Sequence, residues 1–210
     1  VVGGASSLRL DTVTSGANDA TSTFTGRIYA TNVNNSGAGT SNYQNDVTAT
    51  NVGVLAGTSN FVKGLTATTT TISTGTGNFN TDDTSVTNSA IAFNDEGTAN
   101  LHTGLTGDIA FAGNDATVNL WDGQEIAGAT TTSINDTGII NVKGGGTING
   151  TVGASGLAIK QLNLNTDGVN SEALTIAKFD VYADTVRLQS SAYLRLEDGA
   201  DLGVSSQNND

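Results

Sequence analysis

One pattern recurs along the chain at fixed spacing. Two aliphatic residues two apart are followed three positions later by Gly, and three later again by another aliphatic residue. It reads Val118, Leu120, Gly123, Ile126, then Ile140, Val142, Gly145, Ile148, then Leu194, Leu196, Gly199, Leu202. Partial copies open at Ala99, Leu101 and Gly104, and at Leu162 and Leu164, where Asp167 stands in the glycine position. The starts at 99, 118, 140 and 162 are 19, 22 and 22 residues apart.

Residues i and i+2 of a strand point to the same side, so each aliphatic pair defines a short strand with an inward face. Gly then admits the positive φ of a tight corner, and the third aliphatic residue opens the next inward face. A coil of about 20 residues that turns at Gly, Asn or Asp is one rung of a parallel β-solenoid. The expected fold is therefore all-β, a β-helix or a related elongated stack of short strands. Each coil covers the backbone edge of the one before it.

Composition agrees. Of 210 residues, 33 are Thr, 23 Asn, 17 Ser and 27 Gly, and only 13% are charged. β-Branched and Gly-rich segments disfavour helix throughout; the best place for a helical turn is 170–178, NSEALTIAK, and the same residues also read as a loop and strand. Eight Lys and Arg against 20 Asp and Glu leave a net charge of −12, which argues against nucleic acid and anionic membranes as partners. There is no Cys for disulfide or thiolate chemistry. No apolar run approaches the 18 or so residues of a membrane span, so no membrane insertion is expected of this segment.

A longer similarity relates residues 8–33 to 157–186. It aligns Ile28, Tyr29, Ala30 and Val33 with Val181, Tyr182, Ala183 and Val186, and Phe24 with Phe179 one residue out of register. These features divide the chain into four parts. Residues 1–35 form a β-rung segment, and 36–96 an irregular Thr/Gly/Asn-rich segment of strands or loops with weak register. Residues 97–204 form regular rungs, and 205–210 a tail.

The phrases TVNLWDGQEIAGATTTSINDTGIINVKGGGTINGTVGASGL at 117–157 and FDVYADTVRL at 179–188 resemble passenger domains of bacterial autotransporters, of the rickettsial outer-membrane-protein-B and surface-cell-antigen type. The resemblance covers about 97–204 well and 1–35 moderately, and 36–90 matches in composition alone. It implies a secreted β-solenoid on a Gram-negative surface, acting as an adhesin or coat component. It brings no catalytic motif.

Few residues invite chemistry. His102 is the single histidine, placed outward after Leu101, with Asp108 near in sequence. Carboxylates adjoin at Asp82-Asp83, Asp95-Glu96 and Glu197-Asp198, and Asp122 and Asp201 flank corner glycines. Solvated turn carboxylates are the plain reading, with structural calcium as the alternative use. Gly144-Gly145-Gly146 lacks the Asp of a calcium-binding repeat and the Gly-Lys-Ser/Thr of a phosphate loop. Trp121 should project outward beside Leu120, where it packs, stacks on a sugar ring or anchors a subunit contact. Asn34, Asn135 and Asn149 begin Asn-x-Ser/Thr sequons.

The sequence thus points to a non-catalytic extracellular structural or adhesive protein of a microbial surface, without catalytic, cofactor or metal residues. It would self-assemble into a coat, stalk or filament through strand or rung pairing. Its partner would be itself, with a host-surface protein or glycan in addition. Val1, Val2, Trp121, Leu202 and Val204 are the candidate interface residues. The alternatives are a subunit of a free filament built by strand donation, and a polysaccharide-acting β-helix of lyase or phage-tail-spike kind.

Overall fold

The computed structural model describes residues 2–4, 8–168 and 172–209, the last five by their backbone. The chain winds as a β-solenoid. Its strands lie in three parallel sheets of seven, ten and four strands, and the ten-stranded sheet takes one strand from each turn. Successive Asn residues of that sheet are separated by 18, 18, 22, 19, 22 and 22 residues, which gives the coil lengths directly.

The predicted register holds in the middle of the chain. Ala99, Val118, Ile140 and Leu162 are successive partners in the ten-stranded sheet. Leu101, Leu120, Val142 and Leu164 form the neighbouring inward column, and all eight side chains are fully buried. The Gly123 N–H donates to the Gly145 carbonyl at 2.8 Å, and Ile126 pairs with Ile148.

The segment 36–96 is more regular than its composition suggests. Eight-residue strands Ile28–Asn35, Val47–Val54 and Leu65–Ile72 alternate with four-residue strands Thr40–Tyr43, Thr58–Phe61 and Thr76–Phe79. Register is fixed by the inward column Phe24, Tyr43, Phe61, Phe79, whose rings stack at 5.3, 4.8 and 5.3 Å between centroids. Burial pushes the Tyr43 phenol up, although Ser15 and Ser41 hydrogen-bond to it. Serine and glycine in the next inward column (Ser22, Ser41, Ser59, Gly77) leave room for these rings, and a Cβ at Gly77 would lie 2.6 Å from Phe79. One corner needs glycine on two grounds: Gly57 has φ +60°, and a Cβ there would meet the Gly39 carbonyl oxygen at 2.2 Å.

The cross-section then changes. Thr66 pairs with Asn88 but Thr69 with Ala90, so the chain gains a residue on one side, a bulge that bends the long face. Beyond it the front half of the face continues through Thr87, Leu105 and Ile126 into a sheet of its own, Gln124–Ile126, Gly146–Ile148, Leu174–Ala177 and Tyr193–Leu196. Two-faced coils become three-faced ones.

Three sequence readings are corrected. The copy at Leu194–Leu202 belongs to a different face, because Leu194 and Leu196 pair with Thr175 and Ala177 of the third sheet. The true continuation of Leu162 and Leu164 is Val186 and Leu188. The 8–33/157–186 similarity is likewise one face out of phase: bridges through Val152, Thr130, Ile109, Ile91, Thr70 and Val52 place Val181 in the column of Val33, not of Ile28. Finally, residues 205–209 of the expected tail belong to the strand Leu202–Asn209, which pairs with Val181–Leu188, while Leu174–Ala177 takes the strand reading of 170–178 and not the helical one. Residues 170 and 171 of that stretch, and Asp210, lie outside the described residues.

Candidate functional site

The outer side of the ten-stranded sheet carries two columns. One is threonine: Thr21, Thr40, Thr58, Thr76, Thr98 and Thr117 are successive partners. The other is asparagine, at 42, 60, 78, 100, 119, 141 and 163. Each Asn from 60 onward donates its Nδ2–H to the Oδ1 of the Asn one coil before, at 2.7, 2.6, 2.7, 2.7, 2.8 and 2.7 Å. Six bonds thus join seven coils along one line. Its sequence signal is the tetrapeptide TSNY, TSNF, TGNF, TANL, TVNL at 40, 58, 76, 98 and 117. A reading based on apolar pairs and glycine passes over it.

The corner after these strands gathers the chain's rarer side chains. His102, Trp121 and Lys143 follow Leu101, Leu120 and Val142, so they form one column on three consecutive coils. The His102 and Trp121 rings stack with centroids 3.8 Å apart, and Lys143 Nζ lies 3.4 Å from the Trp121 ring centroid. The expected outward projection of Trp121 is correct, but its neighbours are the coils before and after it. Both ring faces are covered, which removes the flat platform a sugar would need. His102 is held below its usual pKa by burial first, and then by the nearby Lys143 charge. Asp108 is not its partner: that carboxylate accepts the Ala129 N–H at 2.8 Å.

Asp108 typifies the corner carboxylates. Asp122 Oδ1 accepts the Gly145 N–H at 2.8 Å and Asp180 Oδ1 the Asp201 N–H at 2.9 Å. Asn135, in a sequon, takes the Ala158 N–H in the same way at 2.8 Å. In each case a side chain on one coil closes a backbone donor on the next, 21 to 23 residues on. Corners break the ladder, and these bonds repair it. The adjacent pairs are occupied locally. Asp82 faces Lys63 at 3.2 Å, Asp95 accepts the Glu96 N–H at 2.9 Å, and Glu197 lies 3.6 Å from Arg195. Asp83 accepts the Ser85 and Thr84 N–H groups, which hold its carboxyl below the usual range. Among the described residues no group of three or more His, Asp or Glu is placed to hold a metal ion.

The five candidate interface residues are not brought together. Val1 lies outside the described residues. Val2 bridges to Ile28 at one end of the stack, and Leu202 and Val204 lie in the last strand of the ten-stranded sheet, paired with Val181 and Ala183. Trp121 sits midway. At the Leu202 end an apolar groove of about 320 Å³ opens between Val186, Leu188, Tyr193, Leu194, Leu196 and Leu202. Tyr193, which lines it, is exposed, as is its register partner Leu174.

The class that these coils define is the parallel β-solenoid. No family model matches the chain, and neither the curated proteins nor the solved structures offer a match.

Proposed function

We propose that the protein is a non-catalytic structural element of a microbial surface that extends by coil addition. One observation carries this reading. The side chains that elsewhere perform chemistry here join one coil to the next: the Asn ladder, the carboxylates of Asp108, Asp122 and Asp180, and the His102–Trp121–Lys143 stack. The apolar groove at Leu194, Leu196 and Leu202 supports the second half of the reading, since a further coil laid on it would bury exposed aliphatic surface. Parallel strands in every sheet mean that such a coil continues the ladder only head to tail, the heterologous arrangement that yields filaments. The surface location rests on the resemblance of residues 97–204 to autotransporter passengers.

Sedimentation velocity and negative-stain electron microscopy at rising protein concentration test the proposal. Wild-type protein is expected to sediment faster and to form rods longer than one chain. A Leu194→Asp/Leu202→Asp double variant should remain as single rods with an unchanged circular dichroism spectrum. Single short wild-type rods at every concentration would refute coil addition, and protection of residues 97–204 from added protease on intact source cells would refute the surface location.

A further inference from the structure

The Thr and Asn columns together make the outer side of the ten-stranded sheet a regular polar surface. From Thr21 to Asn141 the outward positions of the ten-stranded sheet are Thr, Asn and Ile139 without a charge, in a chain of net charge −12. Among the described residues, the Thr40, Thr58, Thr76, Thr98 and Thr117 hydroxyls make no hydrogen bond to protein, while the amides beside them are pinned into the ladder. Open sheets ordinarily twist, and side-chain ladders are among the devices that keep them flat over many strands. The result is a rigid array of solvent-facing hydroxyls that repeats every coil, at about 4.7–4.9 Å.

That repeat has a physical counterpart. Water molecules joined tetrahedrally by O–H···O bonds of about 2.7–2.8 Å place second-neighbour oxygens about 4.5 Å apart. A column of hydroxyls at coil spacing therefore differs from that repeat by only about 0.2–0.4 Å per step, so neighbouring hydroxyls match a tetrahedral water lattice over two or three turns at a time. Other partners fit less well. The array has no cations for phosphate or sulfate and no open aromatic face for a sugar. It also lacks the buried Trp, Tyr or Arg anchor that protein interfaces use. We propose that this face binds crystalline water, the surface of ice, through its threonine column, with the Asn ladder holding the array flat. The proposal is independent of coil addition, because it uses the side of the stack and not its end.

The test is the growth habit of single ice crystals in a solution of purified protein, followed by ice-plane labelling with fluorescently tagged protein. Wild-type protein should facet the crystals and label a defined plane. A Thr58→Lys/Thr76→Lys variant should lose both effects, as should Thr58→Tyr/Thr76→Tyr, which keeps the face uncharged should the lysines disturb folding. Thr48→Lys/Thr66→Lys, on the outer side of the eight-residue strands, should retain both. Round crystals in wild-type protein, indistinguishable from buffer, would overturn the proposal, as would equal loss in the Thr48/Thr66 variant. Wild-type pairing that the Thr58/Thr76 variants abolish, without ice shaping, would also overturn it, because the face would then be a contact between copies.

Discussion

Asn163 and Arg187 are register partners on adjacent coils, and Oδ1 of the first and Nε of the second are both buried without a hydrogen-bond partner among the described residues. The ladder that begins at Asn42 stops here because an arginine stands where an eighth asparagine would continue it. Arg187→Asn supplies an amide at the ladder position. It should raise stability by about 1 kcal/mol, the net worth of one such bond. Urea denaturation, with an unchanged m value, measures this directly. A lower midpoint would show that Arg187 holds its coil by contacts other than this one.

Position within the ladder sets the cost of breaking it. Asn78 accepts from Asn100 and donates to Asn60, whereas Asn42 only accepts, from Asn60. Asn78→Leu leaves two neighbours unpaired on a half-buried face and should cost about 1–3 kcal/mol. Asn42→Leu should cost clearly less. Equal midpoints for the two variants in urea would contradict a ladder that acts as a connected line.

Acid should loosen the His102 corner before it titrates the carboxylates. Because the folded pKa of His102 is depressed, the unfolded chain binds the proton more tightly. Stability is therefore full above the ordinary histidine value of about 6.5 and falls as pH drops from there through the folded value. Thermal melts of wild type and His102→Gln across this window should differ in slope, with the variant flatter. Trp121 is the only tryptophan, so its emission reports the same titration.

Corner carboxylates should behave as amide acceptors and not as ion ligands. Asp122→Asn keeps an oxygen for the Gly145 N–H, whereas Asp122→Ala removes it. The alanine variant should lose about 0.5–1.5 kcal/mol and the asparagine variant less. Calcium or a chelator should leave the wild-type melting temperature where it was. A calcium-dependent rise that Asp122→Ala abolishes would reassign this corner as a metal site.

How much of this was legible follows from what each residue contributes to pattern. Ala99, Val118, Ile140 and Leu162 were readable because inward aliphatic pairs at a fixed spacing of about 20 residues suit a stack of coils and few folds besides. Once that register is known, the column His102, Trp121, Lys143 follows by counting one residue on. The phase of Leu194–Leu202 was not readable, since two faces of the same coil use the same grammar of aliphatic pair and glycine, and only pairing with Thr175 and Ala177 separates them. The order of residues 40–79 was hidden by a different cause. Its register is held by aromatic stacking and by Asn–Asn bonds, and a polar residue that bonds to its own kind looks in sequence like any surface position.

The ladder also has a sense. Every amide from Asn60 to Asn163 points its N–H toward the coil before it, and from Asn60 to Asn141 each carbonyl accepts from the coil after. Backbone dipoles of a sheet largely cancel, but these side-chain dipoles add head to tail, as peptide units do in a helix. One end of the face is thereby electropositive and the other electronegative, an electrical polarity written along an otherwise uncharged wall.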